Sequence, residues 1–333
     1  MNNLFKAYIV ALFSFLGATA CQTTTHSLDE NLSNTSQIIE MNESRYGMAT
    51  AKVGNQLYVF GGTGFRGLLG TVEQIDLDTG NVVKLPISLI PRRYHSAIYD
   101  GKDTIYIVGG ESLNKRSRMN MEQRVEMLNI RTMDVTFGPK LHAATTQNTG
   151  VAIDNEIFIV GGDYLAAKGR HQKALKSTKL VAVLDTNSNQ WLSGPSMLAA
   201  KATSAVNYNN DMYVVGGYDQ NKAMAVFEKL DSKANEWSPM PPPPKPVSAH
   251  ATAVIKNKLY TFGAYEFTDQ VMEFDFATNE WRELSLDFTG VRHAEAISYN
   301  NHIYLVGGLI SLAAGPVNKI QKFRYADLEI AAK

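Results

Sequence analysis

Apolar and polar residues alternate with period two along most of this chain, and the alternation is broken at intervals by a short apolar strand ending in two small residues. Residues 58–62 read Tyr-Val-Phe-Gly-Gly. The same aromatic, two apolar residues and Gly pair return at 106–110, 158–162, 213–217 and 304–308, and with Ala264 as the last residue at 260–264. The units end 48, 52, 55, 47 and 44 residues apart, so one element is repeated six times. A second landmark keeps phase with the first: Asp185 and Trp191, Asp231 and Trp237, and Asp275 and Trp281 share one spacing, each Asp preceded by an apolar residue. Between landmarks each unit predicts four short strands: an apolar run, a polar turn, the Gly-pair strand, a loop, an alternating strand, a turn and the Trp strand. No helical stripe competes in the body of the chain. Glycine suits a strand end where backbones converge and φ is positive.

Residues 1–20 are of another kind. Lys6 precedes an apolar run over 7–16 and the small residues Gly17, Ala18, Thr19 and Ala20, the pattern of a secretory signal too short for a mature membrane span. The next residue, Cys21, is the only cysteine of the 333 residues, which excludes an internal disulfide framework. Residues 22–36 are rich in Thr, Ser and Asn and predict a solvated tether. Lys+Arg and Asp+Glu both total 32, so no overall basic charge draws the chain to nucleic acid. The hydrophobic fraction of 44% is enough to bury a core.

The six units resemble kelch repeats over roughly residues 37–330, and the resemblance implies an all-β, six-bladed β-propeller with one four-stranded blade per repeat, expected here as a single monomeric domain over 37–333. Val82 and Val135 replace Trp in the first two units, and the sixth lacks room for an outer strand. Residues 37–41 are expected to fill that place and close the ring, with 328–331 as the alternative. The small residues before Cys21 are similar to a bacterial lipoprotein cleavage box, implying lipidation of Cys21, attachment to the envelope through that anchor alone, and, from Gln22, the outer membrane. Ala18 departs from the usual Leu, which leaves simple cleavage after Ala20 open.

In an antiparallel pair the opening of the first strand lies beside the end of the second. The Gly-pair loops therefore share a face with the openings, which supply Arg45, then Arg92, Arg93 and His95, then His142 and Lys201, and finally His250, Arg292 and His293. Guanidinium groups suit carboxylates and phosphates, and kelch arginines at such openings contact acidic ligands, a likeness that applies most directly to Arg93 and Arg292. The other reading is a solvated rim whose cations pair with neighbouring acids. Two long loops add charge: 111–124 carries Lys115, Arg116, Arg118 and Arg124 against two acids, and 163–179 carries Lys168, Arg170, Lys173, Lys176 and Lys179 against Asp163. Tyr265 with Glu266, and His293 with Glu295, could act as acid and base partners, although no spacing demands it.

The expected function is non-catalytic binding of an acidic protein or glycan, without cofactor or metal. With Cys21 the only cysteine, the copper chemistry of the kelch enzyme galactose oxidase is excluded, and the seven histidines form no close ligand pair. The alternative is a periplasmic sugar mutarotase or epimerase resembling the sialic-acid mutarotases, on fold and compartment alone. The prolines between 239 and 246 predict a short polyproline crossing.

Overall fold

The computed structural model describes residues 38–114, 116–167 and 173–331. The signal segment, Cys21, the tether, Lys115, Lys168 and Arg170 lie outside the described residues, as does the side chain of Lys173.

Six antiparallel four-stranded sheets follow one another along the chain. The first comprises Ala49–Val53, Gln56–Phe60, Thr71–Asp76 and Val82–Ser88, and the second to fifth units repeat this order. The second strand of every sheet is the Gly-pair strand, almost fully buried because sheets cover both of its faces. In the sixth sheet the outer place is taken by β1, Ile38–Glu40, which pairs with Lys319–Arg324 in the register Ile38 to Gln321 and Ile39 to Ile320. Residues 328–331 form no strand: Tyr325–Ile330 is a helix, α1, whose Leu328 is buried beside Leu284 and Phe323.

Both sequence landmarks have a local cause. The Asp closes the turn to the outer strand by accepting backbone N–H bonds two and three residues on. Asp76 takes Asp78 and Thr79, Asp231 takes Lys233 and Ala234, and Asn129 plays the part in the second sheet. The Trp reaches sideways: Trp191 Nε1 donates to Pro139 O at 2.9 Å, Trp237 to Pro195 O at 2.8 Å and Trp281 to Pro241 O at 2.7 Å. Each indole thus ties its outer strand to the proline loop of the preceding sheet, a structural use for Pro241.

The Gly pair is the joint between sheets. Gly62 N donates to Arg92 O at 2.8 Å, Gly110 to Thr145 O at 2.8 Å, Gly162 to Lys201 O at 2.9 Å and Gly217 to Val247 O at 2.8 Å, in each case the opening of the next sheet. Gly308 of the sixth sheet donates to Arg45 O at the opening of the first, at 2.9 Å. At Gly61, where φ is +57°, a Cβ would come within 2.7 Å of Arg92 O, so the joint has no room for a side chain. Apolar clusters fill the gaps between adjacent sheets; Leu57 and Val59 of the first pack with Tyr304 and Val306 of the sixth. The first strands of all six sheets line one cavity of about 470 Å³.

Candidate functional site

The carbonyl that each Gly pair engages marks one repeat position: Arg45, Arg92, Thr145, Lys201, Val247 and Val291. The side chains of Arg45, Arg92 and Lys201 turn inward and are buried. Each meets a glutamate of its own sheet's third strand: Arg45 with Glu73 at 2.6 Å, Arg92 with Glu126 at 2.6 Å and Lys201 with Glu228 at 2.5 Å. Further bonds hold the guanidiniums, among them Arg45 Nη1 to Gly61 O and Arg92 Nη1 to Gly109 O, while the Nε of each has no partner among the described residues. Burial pulls the Arg92 and Lys201 pKa values down, with Glu126 and Glu228 opposing it.

These three cations are therefore structural, and a sequence signal for them exists. The glutamates sit three residues before the turn Asp or Asn, and in the sheets opened by Thr145, Val247 and Val291 that place holds Ala182, Met272 and Gln321. A basic opening and an acid at this place occur together or not at all.

In the second and sixth sheets the next residue of the opening is an arginine, Arg93 or Arg292, followed by Tyr94 or His293 at the mouth of the cavity. Arg93 donates through Nε to Glu111 at 2.8 Å, lies 4.8 Å from the Tyr94 ring centre and reaches Tyr46 Oη at 3.3 Å. Burial lowers its pKa, but Glu111 and the two tyrosines leave it raised overall. Arg292 differs. Its guanidinium lies 4.1 Å from the Tyr265 ring centre and donates to Tyr265 O at 2.9 Å, while its Nε has no partner. No carboxylate of the described residues pairs with it.

The histidines are not cations here. His95 and His250 are buried with neither ring nitrogen hydrogen-bonded. Burial pushes His250 down to about 4 and His95 well below its ordinary value; burial with Arg292 and Arg93 pushes His293 down to about 3. All three imidazoles are neutral at physiological pH. His293 packs instead against aromatic rings, 5.0 Å from Tyr94 and 6.3 Å from Tyr265. His142 is exposed and does not line the cavity. Glu295 does line it, surrounded by protein yet open to the interior space, and burial raises its carboxyl to about 8. No hydrogen bond joins His293 to Glu295, and among the described residues no three metal-ligating side chains converge.

One feature of the mouth left no mark in the sequence. Gly47, Tyr94, Gln147, Ala249 and His293 all have φ between +53° and +59°. Their backbones form a chain: His293 N donates to Ala249 O, Gly47 N to His293 O, Tyr94 N to Gly47 O and Gln147 N to Tyr94 O, at 2.6 to 2.9 Å. Non-glycine residues held in the left-handed region store strain, and here they narrow the mouth and set the Tyr94 and His293 rings. A Cβ on Gly47 would stand 2.6 Å from Tyr94 Cε1, so this glycine makes the seat for that ring.

Of the two long basic loops, Arg116 and Arg118 are exposed, while Arg124 is paired with Glu122 at 2.8 Å. Bonds from Arg124 and Ser112 outweigh burial and hold Glu122 at about 2.

Comparison with known proteins agrees with the repeat. The KLHDC2/KLHL20/DRC7 Kelch-repeats domain profile matches residues 142–329, more than half of the chain, and the Kelch motif profile matches 44–87. Kelch-like protein 35 of Mus musculus is 28% identical over 48% of this chain and 27% of its own length. Kelch-like protein 25 of Xenopus tropicalis is 23% identical over 77% of this chain and 43% of its own, and the Kelch repeat protein M-T8 of Myxoma virus 25% identical over 72% and 45%. The chain thus spans less than half the length of each of these relatives. An all-β chain built of six such sheets, with this profile over most of its length, belongs to the kelch-repeat family.

Proposed function

We propose that the protein is a non-catalytic kelch binding scaffold, a six-bladed propeller that takes an acidic segment of a protein partner at its loop-bearing mouth. The ring reading draws on the six sheets, the bond from Gly308 to Arg45 and the cavity lined by all six first strands. Signal cleavage and lipidation at Cys21, placing the domain in a bacterial envelope, are part of the same proposal and rest on residues 1–36 of the sequence.

The observation that carries the binding reading is Arg292: a guanidinium stacked on Tyr265, without a carboxylate partner, among Tyr46, Tyr94, His293 and Arg93. A carboxylate there would replace water around an already ordered fork, which favours anionic over neutral ligands. Affinity capture from detergent-solubilised envelopes with the wild-type chain and Arg292→Glu, followed by reconstitution with the purified captured protein, tests it. A partner retained by the wild type, lost in the variant and rebound in purified form is the expected result. Equal retention by both sinks this assignment.

A glycan-acting reading draws on Glu295 alone, a carboxyl that stays protonated near neutral pH inside the cavity and could serve as a general acid. Accelerated anomeric exchange of an acidic sugar by the wild type and not by Glu295→Gln would favour it.

A further inference from the structure

Three successive hairpins rise from the Gly pairs of the sixth, first and second sheets: Leu309–Ser311 with Gly315–Pro316, Thr63–Gly64 with Gly67–Leu68, and Glu111–Leu113 with Met119–Met121. Their ends present large apolar side chains to solvent. Leu312 is 86% exposed, Phe65 74% and Leu113 58%, with Met119 and Ile310 beside them. The first two hairpins touch, since a Cβ on Gly315 would stand 2.5 Å from Phe65 Cε1. Arg66, Arg116 and Arg118 are exposed on the same hairpins, with no carboxylate partner among the described residues. The acids of these segments, Glu111 and Glu122, are buried and paired with Arg93 and Arg124. At the fifth sheet the pattern stops: Tyr265 and Phe267 are exposed, but Glu266 and Asp269 stand exposed beside them.

We propose that this arc is a membrane-docking edge, seated in the interface of a bilayer with anionic headgroups. Exposed apolar tips are costly in water and need a reason. These stand on separate convex hairpins, which fits a planar interface that accepts each tip singly. Exposed arginines on two of these hairpins, with Glu111 and Glu122 buried in ion pairs, match phosphate headgroups. The loop of the fourth sheet, 218–224, has no exposed large apolar side chain, so that side of the mouth stays open to a partner. The contact is separate from lipidation at Cys21 and is a second attachment to the membrane. It rests on the ring reading only in taking the sixth and first hairpins as neighbours, which the Phe65 contact with Gly315 supports directly.

The test uses the full chain carrying Leu312→Trp, with the wild type as the background of the three native tryptophans. It is mixed with vesicles of phosphatidylglycerol and phosphatidylethanolamine, or of phosphatidylcholine alone. The expected result is a blue shift of the added emission with the anionic vesicles, quenching by brominated acyl chains, and little of either with phosphatidylcholine. Reversing Arg116 and Arg118 to Glu should weaken partitioning at least about tenfold, and Phe65→Asp should do the same through lost apolar contact. Because the reporter is local, insertion of residues 1–36 does not imitate the signal. Emission at position 312 unchanged by anionic vesicles overturns the proposal. So does a Phe65→Asp variant that loses a captured protein while the Leu312→Trp signal never responds to lipid, which makes the arc a protein contact. Arg292→Glu leaves these hairpins untouched, so the membrane edge and the partner site fail separately.

Discussion

Arg45 and Glu73 meet at 2.6 Å with both side chains fully buried. Further bonds hold this buried charge pair, from Arg45 to Gly61 O and Glu43 and to Glu73 from the backbone and side chain of Asn42, although Arg45 Nε has no partner among the described residues. The pair joins the opening of the first sheet to its third strand, and the same device recurs in the second and fourth sheets.

Breaking one partner should therefore cost more than removing both. In the fourth sheet, where Glu228 is the one carboxylate paired with Lys201 among the described residues, Glu228→Leu alone leaves a buried ammonium uncompensated and should destabilise by about 3 to 5 kcal/mol in urea unfolding, while Lys201→Met with Glu228→Leu should recover most of that loss. A single variant within about 0.5 kcal/mol of wild type would mean that water reaches the pair.

The indole ties between sheets predict a graded series. Trp237→Phe keeps a ring but loses the 2.8 Å bond to Pro195 O and leaves that carbonyl without its donor, at about 1 to 2 kcal/mol. Trp281 makes the same bond near solvent, where water substitutes, so Trp281→Phe should cost less. Equal midpoints for the two variants in thermal melts would contradict this.

The titratable groups of the cavity act in opposite directions. The folded pKa of Glu295 is raised to about 8, so the native state holds a proton that the unfolded state has released, and stability falls as pH rises from about 4.5 to 8. Glu295→Gln should melt higher than wild type at pH 9, by on the order of 2 kcal/mol after allowing for water in the cavity, and show no such advantage at pH 4. His250 and His293 are depressed to about 4 and 3, so their contribution is present above about 6.5 and lost as pH falls through the folded values. His250→Asn should flatten the acid limb. Parallel melting curves from pH 4 to 9 for wild type and both variants would show that these groups do not titrate as burial requires.

Ala249 has φ +55° with its carbonyl in the backbone chain around the mouth. Ala249→Gly relieves the left-handed strain but frees the unfolded chain, a net gain of roughly 0.5 to 1 kcal/mol. A loss instead, read from the urea midpoint, would show that the Ala249 methyl packs more favourably than its backbone is strained.

Much of this protein was legible along the chain because its causes are local. The first glycine of each pair is required where one sheet's strand end presses on the next opening, as Gly61 does on Arg92 O and Gly263 on Val291 O, and the Asp three residues past the glutamate position closes a turn by its own short side chain. Such causes repeat with the fold and show as a period. The basic openings were visible in the same way, but their direction was not: Arg45 and Arg93 look alike in sequence, and one is buried against Glu73 while the other stands at the mouth. The decisive clue, an acid three residues before the turn in the first, second and fourth sheets, lies 27 to 34 residues from its cation.

What the sequence by itself determined is therefore the repeat, its six copies and the residue types at each joint. Tertiary structure alone decided which cations are spent inside the sheets and that Arg292, at the mouth, pairs with no acid of the described residues; that histidines read as donors are neutral; and that the hairpins of the sixth and first sheets meet at Phe65 and Gly315. Charge state and exposure depend on what surrounds a side chain on all sides, and those neighbours arrive from positions dozens of residues away.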